Sequence, residues 1–207
     1  MVNSKINSIL LSLAMGLLLF RLSWAEEPKN NENFLREVVV QSLNQSFSEA
    51  IPQMKDTVYL QEEGEHQALW LLREELVSYL MQNKKEVFLF DSTKINPSFS
   101  QNASILKYHL TELKISYPKA ERRGFLGKRI VTREGKVNAF FCLVNATNNE
   151  IVWQTGVEYK KLDKIDINAL KSAENKNFTF LCADLPSSAT RKYVEPALVT
   201  AVVGGLV

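Results

Sequence analysis

The residue types that most often carry out chemistry are sparse in this 207-residue sequence. It has two histidines, His66 and His109, and neither lies in an HExxH or related zinc-binding pattern. It also contains no G-x-S-x-G nucleophile elbow, no P-loop and no dinucleotide fingerprint. We therefore expect a non-enzymatic protein without a cofactor or a metal site. An exported hydrolase stays open as an alternative, because paired catalytic carboxylates need not be close in sequence.

The two cysteines, Cys142 and Cys182, could form a disulfide, since they are an even number in a chain that we expect to be exported. The alternative is a pair of small, separately buried thiols in apolar strands. Their spacing does not decide between the two, because a disulfide depends on geometry that spacing does not show.

One loop combines cations with apolar residues. Residues 121–129 read ERRGFLGKR, and two glycines give this stretch conformational freedom. An exposed apolar pair framed by cations could contact an anionic lipid surface or dock on a protein partner. Alternatively, Phe125 folds back onto the core while the charges stay solvated. The predicted contact residues are Arg122, Arg123, Phe125, Leu126, Lys128 and Arg129.

Residues 1–25 read as a secretory signal peptide, with Lys5 before an apolar run and a small-residue cleavage site at its end. An uncleaved anchor is the alternative, but the run is about 12 residues, against about 20 for a membrane span. Lys5 and Arg21 are the charged residues of this segment, so its removal lowers the net charge from +2 to zero. Bulk charge therefore gives no support for a nucleic-acid partner.

Residues 186–207 read as a linker followed by an apolar segment. The segment is too short to cross a bilayer as a straight helix, and its small residues favour close helix contacts. It could insert partially, pack on another protein, form the front half of a longer span, or be a last core helix. We expect it to associate with a membrane. The residues predicted for this contact are Ala197, Leu198, Val199, Val202, Val203 and Leu206.

Between these ends, residues 26–32 are expected to be a mobile lead-in and residues 33–185 to form one domain. Apolar residues at helical spacing predict a helix from Asn33, and a second from about residue 65 to residue 82. Short strands are predicted at residues 57–60 and 86–90. This order of elements indicates an α/β layer in the first half.

The second half alternates with a period of two, as expected for an antiparallel meander. The apolar phase slips between Leu110 and Leu113, which predicts a β-bulge or two separate strands, and Pro118 is expected to end this stretch. Strands at residues 137–144 and 151–159 are joined by a polar turn. The first is apolar on both sides, which is typical of a strand covered by helices. The predicted class is α+β, a mixed sheet with two helices packed on it and a meander in the second half.

The helix–strand–helix–strand order, with WLLREELVSYL and EVFLF as its second half, resembles the periplasmic α/β domain of bacterial envelope assembly proteins. Examples are the curli secretion lipoprotein, the flagellar outer-membrane lipoprotein of the FlgO type and the TolB amino-terminal domain. The stretch NATNNEIVW is similar to a turn and strand of those domains, with Asn149 in place of a turn glycine. The resemblance covers residues 33–159. The sequence lacks their lipobox cysteine, which argues against a lipid anchor.

The resemblance implies a non-catalytic role in envelope assembly or transport. Our first hypothesis is an exported, periplasmic and membrane-associated binding or assembly module that acts through envelope protein partners, with membrane contact as an option. The sequence does not identify a small-molecule ligand. The alternatives are the exported hydrolase and a structural subunit of a membrane complex.

Overall fold

The computed structural model describes residues 29–90, 102–122 and 128–186. The helices of this part are α1 (Asn31–Ser46), α2 (Leu69–Gln82) and the single turn α3 (Leu170–Ala173). Its strands are β1 (Thr57–Glu63), β2 (Glu86–Leu89), β3 (Ala103–Arg122), β4 (Arg129–Asn145) and β5 (Ile151–Asp166). Short 3-10 turns cover Ile51–Gln53, Ile167–Ala169 and Thr179–Leu181.

In the described part of the chain, the strands form one sheet in the order β2-β1-β3-β4-β5. β1 is parallel to both β2 and β3, and α2 makes the crossover between β1 and β2. β3, β4 and β5 follow as an antiparallel meander. The predicted α+β class, with a mixed sheet, two packed helices and a meander in the second half, is confirmed.

Helix α1 begins earlier than its apolar pattern predicts. The side-chain oxygen of Asn30 accepts a hydrogen bond from the backbone N–H of Asn33 at 2.7 Å, so Asn30 is the capping residue. The helix therefore starts at Asn31, inside the segment expected to be a lead-in. The apolar stripe from Leu35 to Phe47 is fully buried, as its spacing requires.

The phase slip in β3 is a bulge within one continuous strand. The pairing with β4 shifts between Leu110 and Glu112, so Leu110 and Leu113 both point into the core. The expectation that Pro118 ends the strand is wrong, because β3 continues to Arg122. A second pairing irregularity spans Ser116 to Lys119 and accommodates Pro118, which has no N–H to donate to the ladder.

The core lies on one face of the sheet, under α1 and α2. Gly135 of β4 allows the closest helix contact, because a Cβ there would lie 2.8 Å from the Val38 Cγ2 atom and 2.9 Å from the Phe34 Cε1 atom. The expectation that helices cover both sides of β4 is wrong for the described residues. Phe140, on the opposite face, keeps 42 % of its surface exposed.

The segment after β5 returns to this core. Asp166 caps the turn at Ile167 by accepting a hydrogen bond from the backbone N–H of Asn168 at 2.9 Å. The last 3-10 turn, Thr179–Leu181, follows further along this segment. Four residues of the segment join the core: Leu170, Ala173, Phe180 and Leu181. The 3-10 turn with Phe180 and Leu181 contacts β3, and Phe180 lies near Leu113, past the end of the pairing with β1.

Candidate functional site

The β3–β4 hairpin extends beyond the core and ends in cationic residues. Ala120 and Val131 form its last pair that contacts the core. The pair nearest the described end of the hairpin is Arg122 opposite Arg129, and both residues are exposed. Because the hairpin is built from strands of 20 and 17 residues, its polar end is carried away from the helices.

We call the cations at this end the basic tip. It consists of Lys119, Arg122, Lys128 and Arg129 of the hairpin and Lys164 of β5. Two acidic residues neutralise part of it: Glu121 forms an ion pair with Lys119, and Asp166 lies 3.8 Å from the Nζ atom of Lys128. Lys128 is 84 % exposed, so its ion pair is weak.

The two arginines of the basic tip have no ion pair with any residue of the described ranges. Arg122 and Arg129 are directly opposite each other across the β3–β4 ladder. Like charges directly opposite each other destabilise a sheet. The fold therefore gains nothing from these charges, whereas a carboxylate or phosphate ligand would be bound well by the two guanidinium groups.

A buried arginine holds the base of the hairpin. Arg133, four residues along β4 from Arg129, is 1 % exposed and donates from its Nε atom to the Oδ1 atom of Asp163 at 2.9 Å. Its Nη1 atom donates to the Asn31 side-chain oxygen at 2.8 Å and to the Lys29 carbonyl at 2.7 Å. Its guanidinium carbon lies 4.2 Å from the centre of the Phe34 ring.

Asn31 connects this network to Leu181, near the end of the described chain. Its side-chain nitrogen donates to the Tyr117 hydroxyl at 2.9 Å and to the Leu181 carbonyl at 2.8 Å. Burial raises the pKa of Tyr117 to about 12, and the charge of nearby Glu174 acts in the same direction. The network joins β3, β4, β5, α1 and the last 3-10 turn, so the basic tip stands on a rigid base.

The structure shows part of the predicted contact loop. Arg122 and Arg129 lie opposite each other at the described end of the hairpin, with Lys128 next to Arg129, and their role in partner or membrane contact stays a prediction. Arg123, Phe125 and Leu126 lie outside the described residues, as do the signal segment at residues 1–25 and the apolar segment at residues 197–207. None of the helices in the described part is long and apolar enough to cross a membrane.

The two cysteines are free thiols in the structure. Cys142 lies on the open face of the sheet, near Lys107 and Glu63. Cys182 follows the last 3-10 turn, and its sulfur lies 3.4 Å from the carbonyl of Asn175. Both thiols are only partly buried and Cys182 lies outside the strands, so the structure does not show the pair of buried strand residues that was the alternative to a disulfide.

The histidines have local structural partners. His109 lies with its Nδ1 atom 2.9 Å from the Glu63 carbonyl, and His66 accepts a hydrogen bond from the backbone N–H of Ala68 at 3.1 Å. Burial lowers the pKa of His66, although the charge of Glu112 opposes this. Within the described ranges, no group of three histidine, cysteine or acidic residues is arranged to hold a metal ion.

A shallow cleft of about 400 Å³ lies beside His66 and includes Glu112. Hydrogen bonds from Lys114 and Lys136 lower the pKa of Glu112 despite its partial burial. A general acid in a hydrolase needs a raised carboxyl pKa, so Glu112 is unsuited to that role.

Sequence reasoning missed Arg133 and Asp163, which position the tip. The signal was present, because Arg133 alternates with Val131, Gly135 and Val137 and therefore occupies an inward position of β4. A charged residue at an inward position requires a buried partner. Lys119 and Lys164 were also missed, because they join the tip only through the register across three strands.

No protein-family model and no curated protein sequence matches the chain. Its fold is similar to that of a homolog of the neuraminyllactose-binding hemagglutinin from Helicobacter pylori, at a TM-score of 0.37 and 17% identity over 55% of this chain and 69% of that one. The lipoprotein GNA1162 from Neisseria meningitidis is similar at a TM-score of 0.29 and 16% identity. The match covers 72% of this chain and 96% of that one. A minor lipoprotein from Acinetobacter baumannii is similar at a TM-score of 0.30 and 13% identity. The match covers 57% of this chain and 72% of that one.

These solved structures come from bacteria, and two of the three are lipoproteins. The similarities are distant and do not assign the chain to a family. Membership of the curli, flagellar or TolB families therefore stays a prediction from the sequence pattern.

Proposed function

We propose that this chain is a non-catalytic binding module of the bacterial envelope, and that it docks through the basic tip onto an acidic surface of an envelope protein. The observation that carries the proposal is the exposed Arg122–Arg129 pair, two like charges set opposite each other without an acidic partner in the described ranges. A partner carboxylate would relieve their repulsion and accept hydrogen bonds from both guanidinium groups.

Two further features support this function. The Arg133 network fixes the backbone at the base of the hairpin, which lowers the entropy cost of ordering the hairpin when the tip binds. The predicted signal peptide supports export, which would place the tip among envelope proteins.

Cell fractionation tests the proposal. The full chain is produced in a bacterial host with Arg122→Glu and Arg129→Glu combined, and the envelope fraction is washed at low and high salt. We expect the unchanged chain to stay with the envelope at low salt and to be released at high salt, because contacts between exposed charges are screened. We expect the variant to be released already at low salt.

A matched control is the pair Lys107→Glu and Lys114→Glu, which reverses two charges on β3 away from the tip. This control should be retained like the unchanged chain. Retention of the tip variant at the level of the control would overturn the proposal.

A further inference from the structure

The outer edge of β5 has the properties of an interface between two copies of this chain. Among the described strands, β5 pairs with β4 alone, so one side of the strand presents unpaired backbone N–H and C=O groups over 16 residues. Its pairing with β4 is regular from Trp153 to Asp166, without a bulge. Proteins usually protect a long, regular edge of this kind, because it can pair with another strand.

The side chains on the open face of β5 are complementary to their own two-fold image. Gly156 lies opposite Phe140, and a Cβ at Gly156 would meet no atom within 4 Å. Leu162, on the same face, is 60 % exposed. Between them lie Glu158 and Lys160, which form an ion pair with each other at 3.6 Å and keep 56 % and 51 % of their side-chain surface exposed. Glu158 also lies 3.4 Å from the Nζ atom of Lys136, and these exposed ion pairs are weak enough to exchange for pairs between two copies.

We propose that a second copy of the chain pairs antiparallel along β5, with the two-fold axis at Tyr159. This register places Glu158 of each copy opposite Lys160 of the other. It also places Leu162 of each copy opposite Gly156, beside the exposed ring of Phe140. In this register, an odd-numbered residue of one strand lies opposite an odd-numbered residue of the other, and an even-numbered residue opposite an even-numbered one. Core-facing residues therefore meet core-facing residues, and residues of the open face meet residues of the open face.

Neighbouring registers pair the charges of β5 less favourably. An axis at Glu158, Lys160 or Lys161 would place that residue against its own image, and like charges directly opposite each other destabilise a sheet. An axis at Val157 would leave both Glu158 and Lys160 opposite uncharged residues. The axis at Tyr159 therefore gives the best pairing of the residues at the centre of β5.

The paired molecule would be a continuous ten-stranded sheet with the basic tips at opposite ends. This inference concerns a different surface from the proposed function and does not depend on it. If both hold, one pair of chains would join two partner molecules.

Sedimentation velocity of the full chain in mild detergent, over a range of concentrations, tests the pairing. We expect a monomer–dimer equilibrium. Glu158→Lys alone, and Lys160→Glu alone, should each weaken the dimer by about tenfold, because each places like charges opposite each other twice. The two changes together exchange the charges and should restore the dimer.

Lys107→Glu, on the open face of β3, is the matched control and should leave the dimer unchanged. Far-UV circular dichroism of each variant checks folding. A monomer at all concentrations would overturn the proposal, as would a dimer insensitive to the single reversals or not restored by the exchange.

Discussion

The guanidinium group of Arg133 and the carboxylate of Asp163 form a two-point ion pair between β4 and β5, beneath the basic tip. Arg133 is almost completely buried, whereas Asp163 is about one-third exposed. The arginine also satisfies the oxygens of Asn31 and Lys29. This one side chain therefore satisfies acceptors on three residues, in β5 and at the start of α1.

Replacing Arg133 with methionine should destabilise the domain by about 3 kcal/mol, because several acceptors lose their donor. The exposed part of Asp163 regains water, which keeps the cost at the low end of the range for a broken buried pair. Urea unfolding followed by circular dichroism measures the change. Arg73→Ala is the control: its ion pair with Glu62 is exposed, and its loss should cost less than about 0.5 kcal/mol. Equal effects of the two variants would contradict the structural role of Arg133.

Gly135→Val should cost about 3 kcal/mol, because the added atoms would overlap with Val38 and Phe34 of α1. Gly156→Ala, in open space on the neighbouring strand, should be neutral or stabilising by up to about 1 kcal/mol. Thermal unfolding at low protein concentration compares the two. A stable Gly135→Val variant would mean that α1 does not approach β4 as closely as the structure shows.

The stability of the domain should fall as the pH rises from about 10 to about 12. The folded-state pKa of Tyr117 is raised to about 12 by burial, above the value near 10 of an unfolded tyrosine. In this window the unfolded chain loses the proton that folded Tyr117 keeps, so the unfolded state is favoured. Urea midpoints measured across the window for the unchanged chain and for Tyr117→Phe check this.

The urea midpoint of the Tyr117→Phe variant should fall less steeply with pH than that of the unchanged chain, but it should still fall. Burial and a hydrogen bond to Glu62 also raise the pKa of Tyr108, so that residue adds its own share. If the urea midpoints of the two proteins fell equally steeply with pH, the burial of Tyr117 would be contradicted.

Both cysteines should react as free thiols when the chain is purified and denatured without a reductant. Cys142 lies on the open face of the sheet, and Cys182 belongs to the segment that packs on the core side, so a bridge would require the backbone to move. Titration with Ellman's reagent should give two thiols per chain, and one for Cys142→Ser. A count near zero for the unchanged chain would show that a disulfide forms.

The elements of this fold were predictable where periodicity was strong. The buried stripes of both helices, the slip between Leu110 and Leu113 and the antiparallel meander follow from apolar spacing. The path of β3 through Pro118 was not predictable, because a second irregularity in its pairing with β4 compensates for the missing N–H donor. The exposed face of β4 was misjudged, because Phe140 is apolar without being covered.

The candidate site was predicted only as a cluster of charges along the sequence. The pairing of Arg122 with Arg129 depends on the hairpin register, which two irregularities in β3 shift. The contributions of Lys119 and Lys164 depend on strand order as well. Neither register nor order follows from local sequence alone.

Site-specific photo-crosslinking from position 128 in living bacteria tests the docking role most directly. Lys128 is highly exposed within the basic tip, and a photoreactive residue there would lie against a docked partner. We predict a crosslinked protein that is strongly reduced by Arg122→Glu combined with Arg129→Glu, and unchanged by Lys107→Glu combined with Lys114→Glu. Absence of a crosslink from position 128, or a crosslink that persists after both arginines are reversed, would contradict the account.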